Sequence, residues 1–147
     1  MSELLLMAVI AGERVAFRAA DIQSVIELDE ITPVPRAPHF VAGLAALRSR
    51  PLTVIDCMRS LEVEPAVLPD GAVRKAVVVE IERHIYALMV DAIEDVVVAE
   101  SDVAPPPGKL LPGWERCALG IVETPVGALL LADPAALIAG PDCQAAA

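Results

Sequence analysis

The sequence predicts a mainly β protein built from small closed or nearly closed barrels. Short apolar runs of Val, Leu, Ile and Ala recur along the chain, and turn residues interrupt them frequently. The 13 prolines and eight glycines are scattered over the 147 residues, a pattern typical of many short elements and not of disorder. Barrels suit such strands because closure removes exposed sheet edges.

The first half of the chain predicts a hairpin, further strands and a proline-rich loop. In order, we expect a hairpin of residues 4–10 and 15–17, a helical turn at 19–24, a strand at 25–28, an extended loop at 31–38, a short helix at 39–47, a strand at 52–56 and a turn at 57–61. Three prolines remove three amide donors from the loop, so it is neither a helix nor a central strand.

The second half predicts more strands and one capped helix. We expect a loop at 62–73, strands at 75–81, 84–90 and 93–98, a stiff proline connection at 104–108, and a final hairpin of 119–123 and 126–131. Asp133 is expected to cap a short helix that has Pro134 in its first position. Trp114 is expected to cover the core.

A weak internal repeat suggests two similar β-units. Residues 22–26 and 93–97 share a pattern of Ile, two variable positions, Val and a second β-branched residue. Each copy follows an apolar hairpin and an aspartate, Asp21 or Asp91. One shared pentapeptide is weak evidence by itself.

The charge distribution excludes nucleic acid and indicates a local docking face. The formal charge is −10, whereas phosphate binding requires a dense basic surface. Between residues 31 and 59, four arginines and one acid give a net charge of +3. This basic segment is a candidate contact for an acidic partner, and the alternative is a set of solvated arginines whose stems cover apolar surface.

The cysteines and histidines give little support to an enzyme or a metal site. Cys57, Cys117 and Cys143 are widely spaced, so reduced thiols in a cytosolic protein are expected. A thiol-dependent enzyme using Cys57 with His39 or His84 is the alternative from another class, but no motif supports it. No cofactor and no metal are expected. The N-terminus is a poor signal peptide and no apolar run is long enough to insert into a membrane.

Residues 34–48, Val-Pro-Arg-Ala-Pro-His-Phe-Val-Ala-Gly-Leu-Ala-Ala-Leu-Arg, resemble the CheW family. That family typically has two spaced prolines, a Val-x-Gly segment, Asn-Leu-Arg-Gly and then a strand that ends in aspartate. The residues that carry the motif here are Pro35, Pro38, Gly43, Leu47, Arg48 and Asp56. Further similarities upstream and downstream extend the resemblance over about residues 4–139.

The resemblance implies a CheW-like fold of two five-stranded β-barrel subdomains that share an apolar core, with short helices. It implies one domain over residues 1–140, followed by a flexible tail at 141–147. It also implies a non-enzymatic cytoplasmic adaptor, recruited to membrane receptor arrays, that couples chemoreceptors to a CheA-type histidine kinase. The implied partners are the regulatory domain of the kinase and the cytoplasmic helical tip of the receptor. An auxiliary or competing protein that binds either partner without coupling them is the alternative.

The predicted partner-binding residues lie around the motif. By resemblance, Arg48 matches the family's arginine at the receptor contact, and Glu27 matches an acid in the same region. The further predicted contacts are Val25, Val34 and Phe40. The alternative for Arg48 is that it holds its own loop by bonding to backbone carbonyls.

The sequence departs from the family pattern at several positions that bear on the geometry of the receptor contact. Ala46 replaces the asparagine, Ser49 replaces the glycine after the arginine, and Thr53 replaces a later proline, while Pro51 is new. If the usual glycine has a positive φ, Ser49 is expected to strain the turn.

Overall fold

The computed structural model describes residues 3–28, 31–62, 74–106 and 108–140, and they form two five-stranded sheets and three short helices. The strands are β1 (Leu4–Ile10), β2 (Glu13–Arg18), β3 (Ile22–Leu28), β4 (Val41–Leu47), β5 (Arg50–Asp56), β6 (Arg74–Ile81), β7 (His84–Val90), β8 (Ala92–Val98), β9 (Ala118–Thr124) and β10 (Gly127–Ala132). The helices are α1 (Cys57–Leu61), α2 (Pro112–Cys117) and α3 (Pro134–Ala139), and a 3₁₀ turn at Ala19–Asp21 precedes β3.

The two halves of the chain are intertwined. The first sheet has the strand order β8-β1-β2-β10-β9 and the second has the order β3-β6-β7-β5-β4. Each half of the chain therefore contributes two strands to one sheet and three to the other. In both sheets a parallel pair, β2 with β10 or β7 with β5, joins the contributions of the two halves. The repeat noted in the sequence falls on β3 and β8, which are the corresponding edge strands.

The mainly β fold with two five-stranded sheets is confirmed, but the sheets are not closed barrels. In the described residues, one isolated bridge faces the open side of each sheet, Thr32 with Leu44 and Ala104 with Ile121. After the first bridge the carbonyl of Val34 accepts a hydrogen bond from Ala37 N at 3.3 Å, so the chain turns away from β4. After the second bridge come residues 105 and 106, both prolines, which have no amide donor to continue the ladder.

Glycine permits both bridges. Gly43 and Gly120 have φ values of +150° and +152°, which L side chains rarely adopt. A Cβ atom on Gly43 would lie 2.3 Å from the carbonyl oxygen of Thr32, and one on Gly120 would lie 2.5 Å from that of Ala104. The motif glycine at position 43 therefore allows a close backbone approach.

The expectation of a helix over residues 39–47 was wrong, because most of this segment is strand β4. Leu44, Ala45, Ala46 and Leu47 favour a helix by intrinsic propensity. In the structure, however, β4 pairs antiparallel with β5 and Leu44 exchanges two 2.8 Å backbone bonds with Thr32. These long-range hydrogen bonds override the local preference.

The main hydrophobic core lies between the two sheets. Phe17 of the first sheet and Leu88 of the second are completely buried in the same cluster. Trp114 is buried in this cluster too, which confirms that it covers the core. Burial of side chains from both sheets in one cluster stabilises the sheets against each other.

Two aspartates begin the helices that follow β5 and β10. Asp56 Oδ1 accepts hydrogen bonds from Met58 N at 3.1 Å and Arg59 N at 3.3 Å, so this motif residue is the N-cap of α1. Asp133 Oδ1 accepts from Ala135 N at 3.1 Å, and Pro134 is the first residue of α3, as expected.

Some expectations fall on parts of the chain that the structure does not describe. The tail at 141–147 and all but the first residue of the loop at 62–73 lie outside the described residues. Within the described ranges, no helix has both the length and the apolar character that a membrane span requires.

Replacing Gly43 with alanine tests the close approach of the two chain segments. We expect G43A to lower the free energy of unfolding by about 2–4 kcal/mol, because the methyl group would displace Thr32 and strain the backbone. Urea denaturation measures this change. The control is G108A, where the methyl group would meet nothing within 4 Å. Equal destabilisation by the two variants would contradict the prediction.

Candidate functional site

An apolar groove lies where the second sheet remains open. It runs between β3 and the β4–β5 hairpin as two adjoining depressions that share Ile26 and Leu47. We call it the seam groove, and its main apolar lining residues are Val25, Ile26, Leu44, Ala45, Ala46 and Leu47. The edges of β3 and β4 form its two walls.

The structure brings three of the predicted partner-binding residues to this groove. Val25 lies on β3 with 44% of its surface exposed, although it is apolar. Glu27, also on β3, is exposed along one depression, and Arg48 is exposed at the end of the other. The seam groove therefore has apolar side chains along its length, the acid Glu27 beside one depression, and the two bases Arg48 and Arg50 at the other.

The other two predicted contacts are placed differently. Val34 is exposed on the proline loop, beside the groove and not in its lining. Phe40 is only 5% exposed and belongs to the main core, where its ring occupies the space next to Gly140. Its side chain supports the start of β4 from beneath and is not available to a partner.

The proline motif shapes the loop beside the groove. Pro35 precedes Arg36, whose φ is +67°, and these are the two central residues of a turn that Val34 and Ala37 close. The exposed Pro38 accepts a backbone bond from Val41 N at 2.9 Å, directly before β4. The motif prolines thus direct the chain into the edge strand.

The side chain of Arg48 is free for a partner among the residues that the structure describes. Arg48 and Ser49 form the two-residue turn between the paired residues Leu47 and Arg50. No hydrogen bond or ion pair joins the Arg48 guanidinium to another described side chain or carbonyl, so the loop-pinning alternative has no support in the structure. By contrast, Arg59 is occupied by Asp56 at 3.4 Å and by the carbonyl of His39 at 3.2 Å.

The turn that presents Arg48 has a strained backbone. The φ values of Arg48 and Ser49 are +51° and +70°, in the left-handed region that favours glycine. Two-residue hairpin turns of type I′ have a positive φ at both central residues, and their twist then matches that of the strands. The expected strain at Ser49 is therefore present.

A second exposed apolar surface lies on the first sheet. Leu4 of β1 pairs with Val98 of β8, and Val96 of β8 pairs with Leu6. Leu4, Val96 and Val98 are exposed, Val96 by 51%, and we call this set the β8 strip. This strip is not among the sequence-based predictions, although the internal repeat matches Val96 to Val25 and so points to it.

The charged residues of β8 are already engaged. Glu94 forms an ion pair with Arg14 at 3.0 Å, and Asp95 accepts a bond from the amide of Val96 at 2.8 Å. In the described segments, no group of three or more His, Cys, Asp or Glu side chains is arranged to hold a metal ion.

The two cysteines in the described residues, Cys57 and Cys117, are not activated for catalysis. Cys57 is completely buried, and burial together with the nearby Asp56 carboxylate raises the pKa of its thiol far above the ordinary value. Burial also raises the pKa of Cys117, and Arg116 offsets this only in part. A buried neutral thiol is a poor nucleophile, and Asp56 is committed to the cap of α1.

The fold and these surfaces define a binding module, because both sites are exposed apolar surfaces that suit another polypeptide. The chain belongs to the CheW family: the model of the CheW-like domain matches residues 4–141. The resemblance in the sequence is thereby confirmed. Proteins of this family are scaffolds and not enzymes.

Individual proteins agree with this assignment. The chain is 29% identical over 145 residues to the probable chemotaxis protein CheW of Rhizobium etli, covering 91% of this chain and 92% of that protein. It is 30% identical over 106 residues to the chemotaxis protein CheW of Rhizobium meliloti, covering 65% and 66% of the two chains. The crystal structure of the scaffolding protein TtCheW from Thermoanaerobacter tengcongensis superposes with a TM-score of 0.77 at 23% identity, covering 90% of each chain.

Replacing Ser49 with glycine tests the strain in the Arg48 turn. We expect S49G to raise the free energy of unfolding by about 0.5–1 kcal/mol, because relief of the positive φ outweighs the added freedom of the unfolded chain. Thermal and urea unfolding measure it. S49A is the control: it removes the hydroxyl group and keeps the Cβ atom, so it should give no gain. A gain of equal size in S49A would refute the interpretation.

Proposed function

We propose that this chain is a chemotaxis coupling adaptor that holds a chemoreceptor tip in the seam groove and the regulatory domain of a CheA-type kinase on the β8 strip. The family assignment supports the adaptor role. The observation that carries the receptor contact is the meeting of Val25, Glu27 and Arg48 at one open groove. The adaptor works in the cytoplasm and is recruited to membrane receptor arrays.

The seam groove suits an amphipathic helix. A receptor tip is a helical hairpin, and helices commonly bind by laying an apolar face into an apolar groove. Val25 and Leu44 offer exposed apolar area on the two walls. Glu27 and Arg48 at the margins then select the orientation of the helix, because charges at the rim contribute more to specificity than to affinity.

Arg48 is the proposed anchor for a carboxylate on the receptor. Its planar guanidinium offers several donors in a fixed geometry, and none is used within the described structure. The turn holds the Arg48 backbone in one conformation, which lowers the entropy lost on binding. Arg50, which lines the same depression, is also exposed, so the local potential attracts an acidic partner.

The β8 strip suits the kinase domain because its chemistry differs from that of the seam groove. Leu4, Val96 and Val98 are apolar, and the nearby Glu94 is neutralised by Arg14. Such a strip favours a partner with an apolar surface over a highly charged helix. The two partners then occupy different sheets and are able to bind at the same time.

Reversing the charge of Arg48 tests the receptor contact. We expect R48E to weaken binding of a receptor-tip fragment by about 2 kcal/mol, roughly 30-fold, because the anchor is lost and a carboxylate is repelled. The fold should remain intact because Arg48 is exposed and unpaired in the described structure. Isothermal titration calorimetry measures the affinity, and circular dichroism checks the fold.

The matched control for R48E is R83E. Arg83 is exposed in the two-residue turn between β6 and β7 and also has a positive φ, +69°, but it is not one of the residues that line the groove. R83E should bind the fragment like the parent chain. An unfolded R48E variant, or equal weakening by both substitutions, would count against the contact.

Placing a charge on the β8 strip tests the kinase contact. We expect V96E to weaken binding of the kinase regulatory domain by about 1–2 kcal/mol and to leave receptor binding unchanged, because a buried carboxylate would lack a partner. L119E, an equally polar change at an exposed position on the opposite edge of the first sheet, is the control. With both partners present, a coupling adaptor raises kinase output, whereas a competing protein lowers it.

A further inference from the structure

We propose that a buried junction of the three helices fixes the angle between the two sheets, and so holds the seam groove and the β8 strip in the orientation that signal coupling needs. This inference rests on the proposed function, since it concerns how the two partner surfaces cooperate. The three-helix junction consists of the Ser60 hydroxyl and carbonyl, the Arg116 guanidinium and the Leu137 carbonyl.

Each helix of the junction is tied directly to one sheet. Helix α1 follows β5 of the second sheet without an intervening residue. Helix α2 leads directly into β9 of the first sheet, and α3 is separated from β10 of that sheet only by Asp133. Bonds from α1 to α2 or α3 are therefore bonds between the two sheets.

One buried and one partly buried hydrogen bond link these helices. Ser60 is completely buried, and its hydroxyl donates to the carbonyl of Leu137 in α3 at 2.6 Å. Arg116 of α2 donates through Nη2 to the carbonyl of Ser60 in α1, at the C-terminal end of that helix. Arg116 also contacts Cys117 Sγ at 3.2 Å. One serine thus joins all three helices.

The helices also pack closely, which leaves the junction little freedom. A Cβ atom on Gly113 of α2 would lie 1.8 Å from the carbonyl oxygen of Leu61 in α1. This contact places the backbones of α1 and α2 against each other directly beside the Ser60 and Arg116 bonds.

The polar bonds define an angle that apolar packing alone does not. Apolar burial is non-directional, whereas a hydrogen bond depends on geometry and a buried donor that loses its acceptor incurs a desolvation penalty. A rotation of one sheet against the other would separate Arg116 and Ser60 from their acceptors. The junction therefore favours one orientation of the sheets.

This orientation matters because the two partner surfaces lie on different sheets. Val25 and Arg48 move with the second sheet, and Val96 moves with the first. A scaffold that lost the fixed angle would still bind each partner singly, since each surface lies within one sheet. It would no longer hold the kinase domain in one position relative to the receptor.

Two variants weaken the junction by different routes. S60A removes the bond to Leu137 and keeps the backbone carbonyl of residue 60 as an acceptor for Arg116. It is the milder change, so it still tests the junction if R116M fails to fold. R116M removes the guanidinium and keeps an apolar chain, and R116K restores a cation as a conservative rescue. The controls are R18M and S101A, which make the same changes at a surface ion pair and an exposed serine.

The first measurement is the distance between the sheets. Two spin labels are attached to unnatural keto side chains, which avoids the native cysteines. One replaces the exposed residue 82, in the turn between β6 and β7 of the second sheet, and the other replaces the exposed residue 119, on β9 of the first sheet. We expect S60A and R116M to broaden the distance distribution by about twofold, and the controls and R116K to keep the parent width. An unchanged width in folded S60A would overturn the inference.

The second measurement separates binding from coupling. We expect S60A and R116M to bind the receptor fragment and the kinase domain separately within about twofold of the parent, while receptor-dependent kinase stimulation falls about fivefold. Unchanged stimulation despite a broadened distance would refute the inference. A parent chain that bound neither partner would instead refute the proposed function, even if the junction changed the distances.

Discussion

The backbone conformation at the edge of the second sheet determines what this protein presents to a partner. Thr32 and Leu44 form one bridge, and the turn that contains Pro35 then carries the chain away from β4. Because the described ladder stops there, the edges of β3 and β4 remain apart and apolar side chains between them stay accessible. Gly43 is necessary for this arrangement, since any side chain at that position would meet the carbonyl of Thr32.

The intertwined topology makes the two sheets interdependent while their outer surfaces differ. The core between them takes side chains from both, and α1, α2 and α3 join them through buried polar bonds. On the outside, the seam groove has charged margins and the β8 strip is apolar. The two sheets thus present outer surfaces of different chemistry, as the proposed binding of two partners requires.

Much of this structure could be predicted from local sequence patterns, and the failures have physical causes. Alternating apolar residues and turn residues located the hairpins, and Asp133 with Pro134 located a helix start. Strand β4 was missed because its leucines and alanines favour a helix locally, while the bonds that make it a strand come from distant residues. Phe40 was predicted as a contact, but burial depends on the core around it, which the local pattern does not reveal. The meeting of Val25 and Arg48 at one groove likewise depends on the strand order.

Because the chain crosses between the sheets, the two sheets are completed at different times during synthesis. The second sheet is complete once β7 has left the ribosome, but the first sheet must wait for β10, near residue 132. Until then β2 lacks its neighbour β10, and the core that the first sheet shares with the second is incomplete. Contacts between residues this far apart also slow the search for the native state. Nascent chains should therefore depend on chaperones until β10 has been synthesised.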